Sequence, residues 1–169
     1  MLNHTDVKKT RAVIDLGAIA ENYTHTAKMC APAKVAAVVK ADAYGHGALA
    51  VAKRLQTVGC DFFTVSNIDE ALELRTGGIT GTILVLGYVL DAFLPEAVEN
   101  EISLAVDTVA HLKTILLAAD GRPVKIHIKL DTGMNRTGFF AKGDGAPLDG
   151  ELLRAVELFK KHPNLVCEG

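Results

Sequence analysis

The stretch Val35-Ala-Ala-Val-Val39 decides the fold class of this chain. It is a continuous run of β-branched and small apolar residues, which is typical of a strand buried on both faces of a parallel sheet. Apolar residues then recur at helical spacing from Leu49 to Val58, and Gly59 ends that pattern. A buried strand followed at once by an amphipathic helix is the repeating unit of a parallel α/β fold.

The same alternation of strand and helix continues along the chain. The predicted strands are Val35–Val39, Phe62–Val65, Thr82–Leu86, Ser103–Val106, Val124–Leu130 and Leu165–Cys167. The predicted helices cover residues 49–58, 68–76, 91–100, 108–117 and 149–161, with a surface loop at 143–147. Asn67 is predicted to cap one helix, with Glu70 as its capping-box partner, and Asp107 is predicted to cap another.

Five or six strands, each followed by a helix except the last, predict a parallel α/β architecture. Both an open doubly wound sheet and a (β/α)8 barrel of about 250 residues satisfy this pattern. The last predicted strand, Leu165–Cys167, is followed by neither a helix nor a polar tail. We therefore expect an incomplete domain rather than a finished open sheet.

Composition excludes several classes of protein. The net charge is −2 and no basic stripe is present, so we expect no nucleic-acid partner. The longest apolar runs are far shorter than the roughly 20 residues of a membrane span, so we expect no membrane partner. Residues 1–11 lack the apolar core of a secretion signal, which predicts a cytoplasmic location. The cysteines Cys30, Cys60 and Cys167 are odd in number and widely spaced, which predicts buried free thiols and no metal site.

Lys40 directly follows the first predicted strand. Parallel α/β folds place their chemistry at this carboxyl end of a strand. A lysine that a protein site holds unprotonated is a nucleophile that can form a Schiff base. Tyr44 offers a phenol for a ligand phosphate, and Gly45 and Gly47 allow the backbone to approach closely. By position alone, a solvated lysine beside an ordinary glycine turn is the commoner case.

The segment Lys129-Leu-Asp-Thr-Gly-Met-Asn-Arg-Thr-Gly138 ends a second strand. Asp131 can hydrogen-bond local backbone in a turn, and Gly133 permits a conformation closed to other residues. Arg136 offers a planar fork suited to a carboxylate or a phenolate oxygen. Turn chemistry alone is equally compatible with a strand-ending turn that carries a solvated arginine.

The sequence around Lys40, VVKADAYGHG, resembles the pyridoxal-phosphate attachment motif of alanine racemases, a fold-type III family. The second segment is similar to their signature K-x-D-T-G-M-x-R-x-G, with every fixed position present. The resemblance implies pyridoxal 5′-phosphate as cofactor, Lys40 as its Schiff-base lysine and Tyr44 as a contact of its phosphate. It also implies that Arg136 lies near the phenolic oxygen of the cofactor and the carboxylate of the substrate. Lys129 matches a lysine that is carbamylated in several members.

Two weaker segments agree with this family. Residues 11–16, followed by Ala18, Ile19 and Asn22, resemble its opening strand and helix. Residues 83–87 resemble its third strand, and Leu86 matches a leucine that packs near the cofactor, although ordinary core packing is the commoner explanation for Leu86. We expect His127, two residues before Lys129, to be a core or ring-packing histidine.

The resemblance implies a (β/α)8 barrel that is incomplete in this chain, with about five to six βα units. Residues 1–169 would be its N-terminal part, and the rest of the barrel and a C-terminal β domain would lie outside the chain. The implied reaction interconverts L- and D-alanine for the cell wall. Lys40 would be the base on one face, and a tyrosine from the partner subunit of a homodimer would be the opposite base. The 169-residue chain alone is therefore expected to be inactive.

Other members of the same structural class remain alternatives. A pyridoxal-phosphate homeostasis protein should show an F-G-E-N-Y-type segment, and none is present. The barrel of basic amino-acid decarboxylases shares the lysine strand, but the segment from Tyr44 to Gly47 argues against it. Serine racemases of the membrane-anchored type share both motifs, so this half of the pattern does not separate alanine from serine. A non-catalytic fragment is the remaining alternative.

Overall fold

The structure is a computed structural model that describes residues 11–140 and 150–169. Its strands are β1 (Ala37–Val38), β2 (Phe62–Val65), β3 (Thr82–Val85), β4 (Ser103–Val106), β5 (Val124–Ile128), β6 (Leu130–Asp131), β7 (Phe139–Phe140) and β8 (Leu165–Cys167). Its helical segments are α1 (Leu16–Cys30), α2 (Lys40–Gly45), α3 (Ala48–Gln56), α4 (Ile68–Thr76), a 3-10 turn (Asp91–Phe93), α5 (Leu94–Glu99), α6 (Val109–Ala119) and α7 (Gly150–Lys161).

Within the described residues, six strands form one parallel sheet in the order β1-β2-β3-β4-β5-β8. Helices connect successive strands, so the chain has the alternating pattern of a (β/α)8 barrel and forms part of one. This confirms the predicted fold class. The small β6–β7 ladder lies apart from this sheet. Parallel pairing brings the carboxyl ends of all six strands to the same edge.

The core lies between the sheet and the helices. Alternate residues of the central strands point toward the helices and are at most 1% exposed, and these are Phe63, Val65, Ile83, Val85, Leu104, Val106 and Ile126. From the helices and their connecting loops, Leu74, Leu112, Ile115 and other apolar residues join the same cluster. Burying such side chains contributes about 1.5–3 kcal/mol each, which makes this layer the main source of stability.

The strand predicted at Val35–Val39 is shorter than expected, and the opening strand that the resemblance implied is absent. β1 covers Ala37–Val38 because it pairs on one side only, with β2, and because Val39 already leaves the extended conformation with φ −118° and ψ 18°. Residues 11–15 form no strand, since no described residue pairs with them, and the prediction of an opening strand was wrong for this structure. The helix that follows is present, and Asp15 caps it by accepting from the amides of Gly17 and Ala18.

The cap predictions were correct in one case and wrong in another. Asn67 caps α4, because its side chain accepts from the Glu70 amide at 3.0 Å. Thr108, not Asp107, caps α6 by accepting from the His111 amide at 3.2 Å. Thr108 has the extended backbone directly before the first helical residue, whereas Asp107 lies one residue too early to reach that amide.

The remaining elements differ from prediction at their ends. The predicted helix at 91–100 divides into a 3-10 turn and α5. The predicted strand at 124–130 ends at Ile128, and Leu130–Asp131 turns away to pair with β7. The loop at 143–147 and residue 149 lie outside the described residues.

The three cysteines and the membrane prediction have separate outcomes. All three cysteines are free, as predicted. Cys60 is buried, but Cys30 and Cys167 are exposed, so the prediction of burial was wrong for those two. In the part of the chain that the structure describes, no helix combines the length and the apolar character that crossing a bilayer requires.

His111 is a buried titratable group next to the carboxyl edge. It is 3% exposed, and its ring lies 4.4 Å from the ring of Tyr88. Burial lowers the pKa of His111 below its usual 6.5, and the Asp107 carboxylate, 3.6 Å from Nδ1, opposes this shift without cancelling it. The folded protein therefore holds this ring neutral more strongly than the unfolded chain does.

We expect the free energy of unfolding to fall as the pH drops below about 6.5, because the unfolded chain then binds a proton that folded His111 resists. His111→Phe keeps a ring against Tyr88 but cannot titrate, so it should remove this loss. Denaturant unfolding between about pH 7.5 and pH 5.5 measures the effect, which is at most about 1.4 kcal/mol per pH unit. His25→Gln, at an exposed position of α1, should keep the wild-type slope. A wild-type slope in His111→Phe would show that another group is responsible.

Candidate functional site

The five residues predicted for the site all follow strands or turns at the carboxyl edge of the fold. Lys40 follows β1, Leu86 follows β3 and Lys129 follows β5. The backbone amides of Leu86 and Lys129 continue the sheet pairing, by donating to Val65 at 2.9 Å and to Val106 at 2.8 Å. Parallel pairing thus holds these three positions on one edge, as the sequence predicted.

The segment after Lys40 is a left-handed helical turn. The four residues from Ala41 to Tyr44 have φ between 50° and 55° and ψ between 38° and 50°. Each non-glycine residue in this conformation costs on the order of 1–2 kcal/mol. Gly45 and Gly47 follow with φ 84° and 91°, where glycine is not strained. The sequence indicated the glycine turn, but it contains no signal for the left-handed residues before it, because alanine and tyrosine rarely adopt this conformation.

Hydrogen bonds inside the segment close this turn. The Ala43 amide donates to the Val39 carbonyl at 2.9 Å, and the Gly47 amide donates to the Asp42 carbonyl at 2.9 Å. The Asp42 carboxylate accepts from the Ala48 amide at 2.6 Å. Asp42 therefore joins the turn to the first residue of α3, whose preceding residue has no capping side chain.

Glu70 holds the start of the turn from another element. One carboxylate oxygen accepts from the Ala41 amide at 2.8 Å, and the other accepts from the amide and the hydroxyl of Ser66, each at 2.8 Å. The capping box predicted for Glu70 expected a bond to the amide of Asn67. The Asn67 amide does help to lower the pKa of Glu70, but the short hydrogen bonds of the carboxylate go to Ser66 and to the Ala41 amide, so this prediction was only partly correct.

The second motif is also a turn organised by one carboxylate. Oδ1 of Asp131 accepts from the amides of Gly133 at 2.9 Å and Asn135 at 3.0 Å, and these bonds lower the pKa of Asp131 below its usual range. Gly133 has φ 136°, which confirms the predicted role of this glycine. Gly138 has φ 131°, and a Cβ there would lie 2.7 Å from the Asp131 amide nitrogen. Arg136 sits in this turn and is exposed.

The turn is closed where the chain returns to its own strand. The Phe139 amide donates to the Lys129 carbonyl at 2.8 Å, and the Phe139 side chain is 2% exposed. Lys129 and Arg136 therefore belong to one strand-and-turn unit. Within the described residues, the Lys129 amine and the Arg136 guanidinium have no hydrogen-bond or ion-pair partner.

A polar cluster lies on the inner face of the sheet, away from the helices. The Ser103 hydroxyl donates to the Glu168 carboxylate at 2.6 Å, and Nε2 of His127 lies 3.6 Å from the same oxygen. The His127 ring also packs against Phe62, with ring centroids 5.6 Å apart. This confirms the expected ring-packing histidine. Sequence reasoning missed Glu168, since its partners come from two other strands.

A cleft of about 650 Å³ lies at the opposite edge of the sheet. Arg75 lines it and donates to the carbonyls of Ile79, Gly81, Asn100 and Glu101. Burial lowers the pKa of Arg75, and Glu101 opposes this shift. This guanidinium is already used to join two loops, so we assign the cleft a structural role rather than the binding of an anion.

The side chains at the carboxyl edge fit a phosphorylated aromatic aldehyde. Lys40 supplies a half-buried primary amine that can react with an aldehyde, and Tyr44 supplies a phenol that is 63% exposed. Arg136 supplies a guanidinium suited to an anionic oxygen. In residues 11–140 and 150–169, no group of three or more histidine, cysteine, aspartate or glutamate side chains could hold a metal ion.

Comparison with known proteins identifies similar chains. The family model "Alanine racemase, N-terminal domain" matches residues 14–169. An alanine racemase of Streptococcus suis is 48% identical over 156 residues, which cover 91% of this chain and 40% of that protein. The curated relatives compared are matched over 35–40% of their length, so the chain spans about two fifths of them.

Solved structures agree with the sequence matches. The alanine racemase of E. faecalis superposes with a TM-score of 0.82 at 34% identity, covering 92% of this chain and 41% of that one. The alanine racemase of Bacillus anthracis with bound L-Ala-P superposes with a TM-score of 0.80 at 35% identity, covering 92% and 39%.

We expect Asp131→Ala to loosen the turn that carries Arg136, because the amides of Gly133 and Asn135 lose a charged acceptor. Their hydrogen exchange should accelerate by about tenfold or more. Amide exchange followed by NMR measures this, and Thr132→Ala, which alters an exposed neighbour, is the matched control. Wild-type exchange at both amides in Asp131→Ala would contradict the assigned role of this carboxylate.

Proposed function

Because the chain belongs to the alanine racemase N-terminal domain family, we propose that it is the amino-terminal part of the pyridoxal-phosphate-binding barrel of an amino-acid racemase that interconverts L- and D-alanine. The observation that carries this proposal is the position of Lys40. It follows a parallel strand at the carboxyl edge and precedes a left-handed turn that presents Tyr44 four residues later. A strained turn at this edge is the kind of feature that proteins keep at functional sites.

The proposed roles follow from the chemistry of each side chain. Lys40 would hold pyridoxal 5′-phosphate covalently and, once released, would move the substrate α-proton at its Nζ. The Tyr44 hydroxyl would donate to the phosphate, and Leu86 would pack near the ring. Arg136 would bind the phenolic oxygen of the cofactor and the carboxylate of the substrate. When bound, the cofactor supplies an electron sink that makes the α-proton of an amino acid removable.

Lys129 is proposed to carry a carbamate. The Lys129 ammonium would first lose a proton, and the neutral amine would then add to carbon dioxide with loss of a second proton, so that a cation becomes a carbamate anion. The supporting observation is that Lys129 and Arg136 lie on one strand-and-turn unit closed by the Phe139 amide. An anion at Lys129 would attract the guanidinium of Arg136, whereas an ammonium would repel it.

The remainder of the racemase is proposed to lie outside this chain. Residues 1–169 would be the first part of the barrel, since the chain spans about two fifths of its relatives. The opposing tyrosine base would come from the C-terminal domain of the partner subunit in a homodimer. The proposed role is D-alanine supply for peptidoglycan in the cytoplasm, with serine as the alternative substrate. The chain alone would not racemise alanine.

The Lys40 assignment predicts that adding pyridoxal phosphate produces an absorbance band at about 420 nm. Borohydride reduction followed by peptide mass spectrometry should then place the adduct on Lys40. Lys40→Ala should lose both signals, whereas Lys53→Ala, at an exposed position of α3, should keep them. The same wild-type sample should form no D-alanine from L-alanine. No band in the wild type, or a band retained in Lys40→Ala, would overturn the proposal.

The Lys129 assignment predicts a carbamate resonance when the protein is equilibrated with 13C-labelled bicarbonate. Lys129→Ala should lose this signal in 13C NMR. Lys125→Ala should retain it, because Lys125 lies on β5, before Lys129, and its amine pairs with Glu101 at 2.7 Å. A wild-type spectrum without the resonance would rule out carbamylation of this chain.

A further inference from the structure

Glu70 joins two strand ends at the carboxyl edge. It lies in the first turn of α4, and its two carboxylate oxygens face different elements. Oε1 accepts from the Ala41 amide, directly after Lys40, and Oε2 accepts from Ser66, directly after β2. One side chain thus connects the ends of β1 and β2 through a third element.

The Ala41 amide is the point at which the left-handed turn begins. The bonds from Ala43 to Val39 and from Gly47 to Asp42 hold the turn to itself but do not attach it to the rest of the fold. Among the described residues outside the segment 39–48, Glu70 is the one whose side chain hydrogen-bonds this turn. A conformation that is unfavourable for alanine and tyrosine persists where its surroundings hold it in place.

We propose that Glu70 is a positioning residue for Lys40, which holds the lysine backbone and the turn after it in the geometry that the cofactor requires. This proposal rests on the proposed role of Lys40. Glu70 acts through the Ala41 amide and does not itself touch the cofactor or the substrate.

The charge of Glu70 suits this role. Burial raises the pKa of Glu70, but hydrogen bonds from Ser66 and from the Ala41 amide lower this pKa by a larger amount, so the net shift is downward. The side chain is therefore a carboxylate at neutral pH, and both of its oxygens accept hydrogen bonds. A glutamine has one acceptor oxygen. If that oxygen keeps the two bonds from Ser66, the NH2 group faces the Ala41 amide as a second donor.

Glu70→Gln therefore separates the two contacts. We expect amide exchange at Ala41 to accelerate by about tenfold or more, since the amide loses a charged acceptor. The amide of Val39, which donates to the Thr64 carbonyl at 2.9 Å, should stay near its wild-type rate. NMR of the cofactor-free chain measures both. In the same variant, pyridoxal phosphate should give the Lys40 adduct with weaker apparent affinity and slower formation.

Two variants serve as controls. Glu73→Gln makes the same chemical change at an exposed position one helical turn further along α4. It should leave the amide exchange rates and the adduct formation unchanged. Ser66→Ala removes one bond to Oε2 but leaves Oε1 in place, so Ala41 exchange should also stay at the wild-type rate. If Glu70→Gln weakens the whole fold, Glu70→Asp is the second variant. Its shorter side chain cannot reach both strand ends, so Ala41 exchange should rise above that of Val39.

The outcomes distinguish this proposal from the one on which it rests. A purely structural Glu70 would raise exchange at Ala41 and Val39 together and leave the adduct affinity of the folded protein unchanged, and that result would overturn the positioning role alone. Wild-type exchange at Ala41 in both Glu70 variants would also overturn it. A wild-type chain that forms no Lys40 adduct would overturn the proposed function and the positioning role with it.

Discussion

The parallel pairing of the strands is the constraint on which the rest of this structure depends. Parallel neighbours need a crossover connection, and here helices supply it on one face of the sheet. The apolar side chains that alternate along β2 to β5 bury that face against the helices, and this burial supplies most of the stability. The same pairing brings every strand end to one edge. Lys40, Leu86 and Lys129 are distant in sequence but share that edge for this reason.

At this edge, carboxylates shape the loops that carry the basic residues. Glu70 and Asp42 accept hydrogen bonds from backbone amides around the turn after Lys40. Asp131 accepts hydrogen bonds from two amides in the turn that carries Arg136. Each of these carboxylates binds backbone amides and forms no ion pair with the neighbouring lysine or arginine. A loop can therefore be ordered before a ligand binds, which reduces the entropy lost on binding.

The two edges of the sheet differ in what their charged groups do. At the amino ends of the strands, Arg75 donates hydrogen bonds to four backbone carbonyls, and Lys125 forms an ion pair with Glu101. At the carboxyl ends, Tyr44 and Arg136 are exposed. The charged groups at the amino ends thus stabilise the fold, and the proposed site residues lie at the carboxyl ends, which is the usual arrangement in barrel folds. For this reason the cleft around Arg75 is not the candidate site.

The local sequence pattern was enough to predict the alternation of strands and helices, the Asn67 cap and the Asp131 turn. It also predicted that the segments beginning at Lys40 and Lys129 follow strands. Hydrophobic periodicity, capping chemistry and turn chemistry act over a few residues, so neighbours in the sequence contain the information. Long-range packing set the features that were missed. Glu70 meets Ala41 across 29 positions, and Glu168 meets Ser103 across 65. The left-handed turn opposes the local preference of alanine and tyrosine. Its conformation therefore depends on hydrogen bonds, one of which the Ala41 amide donates to Glu70, a residue that the fold brings close.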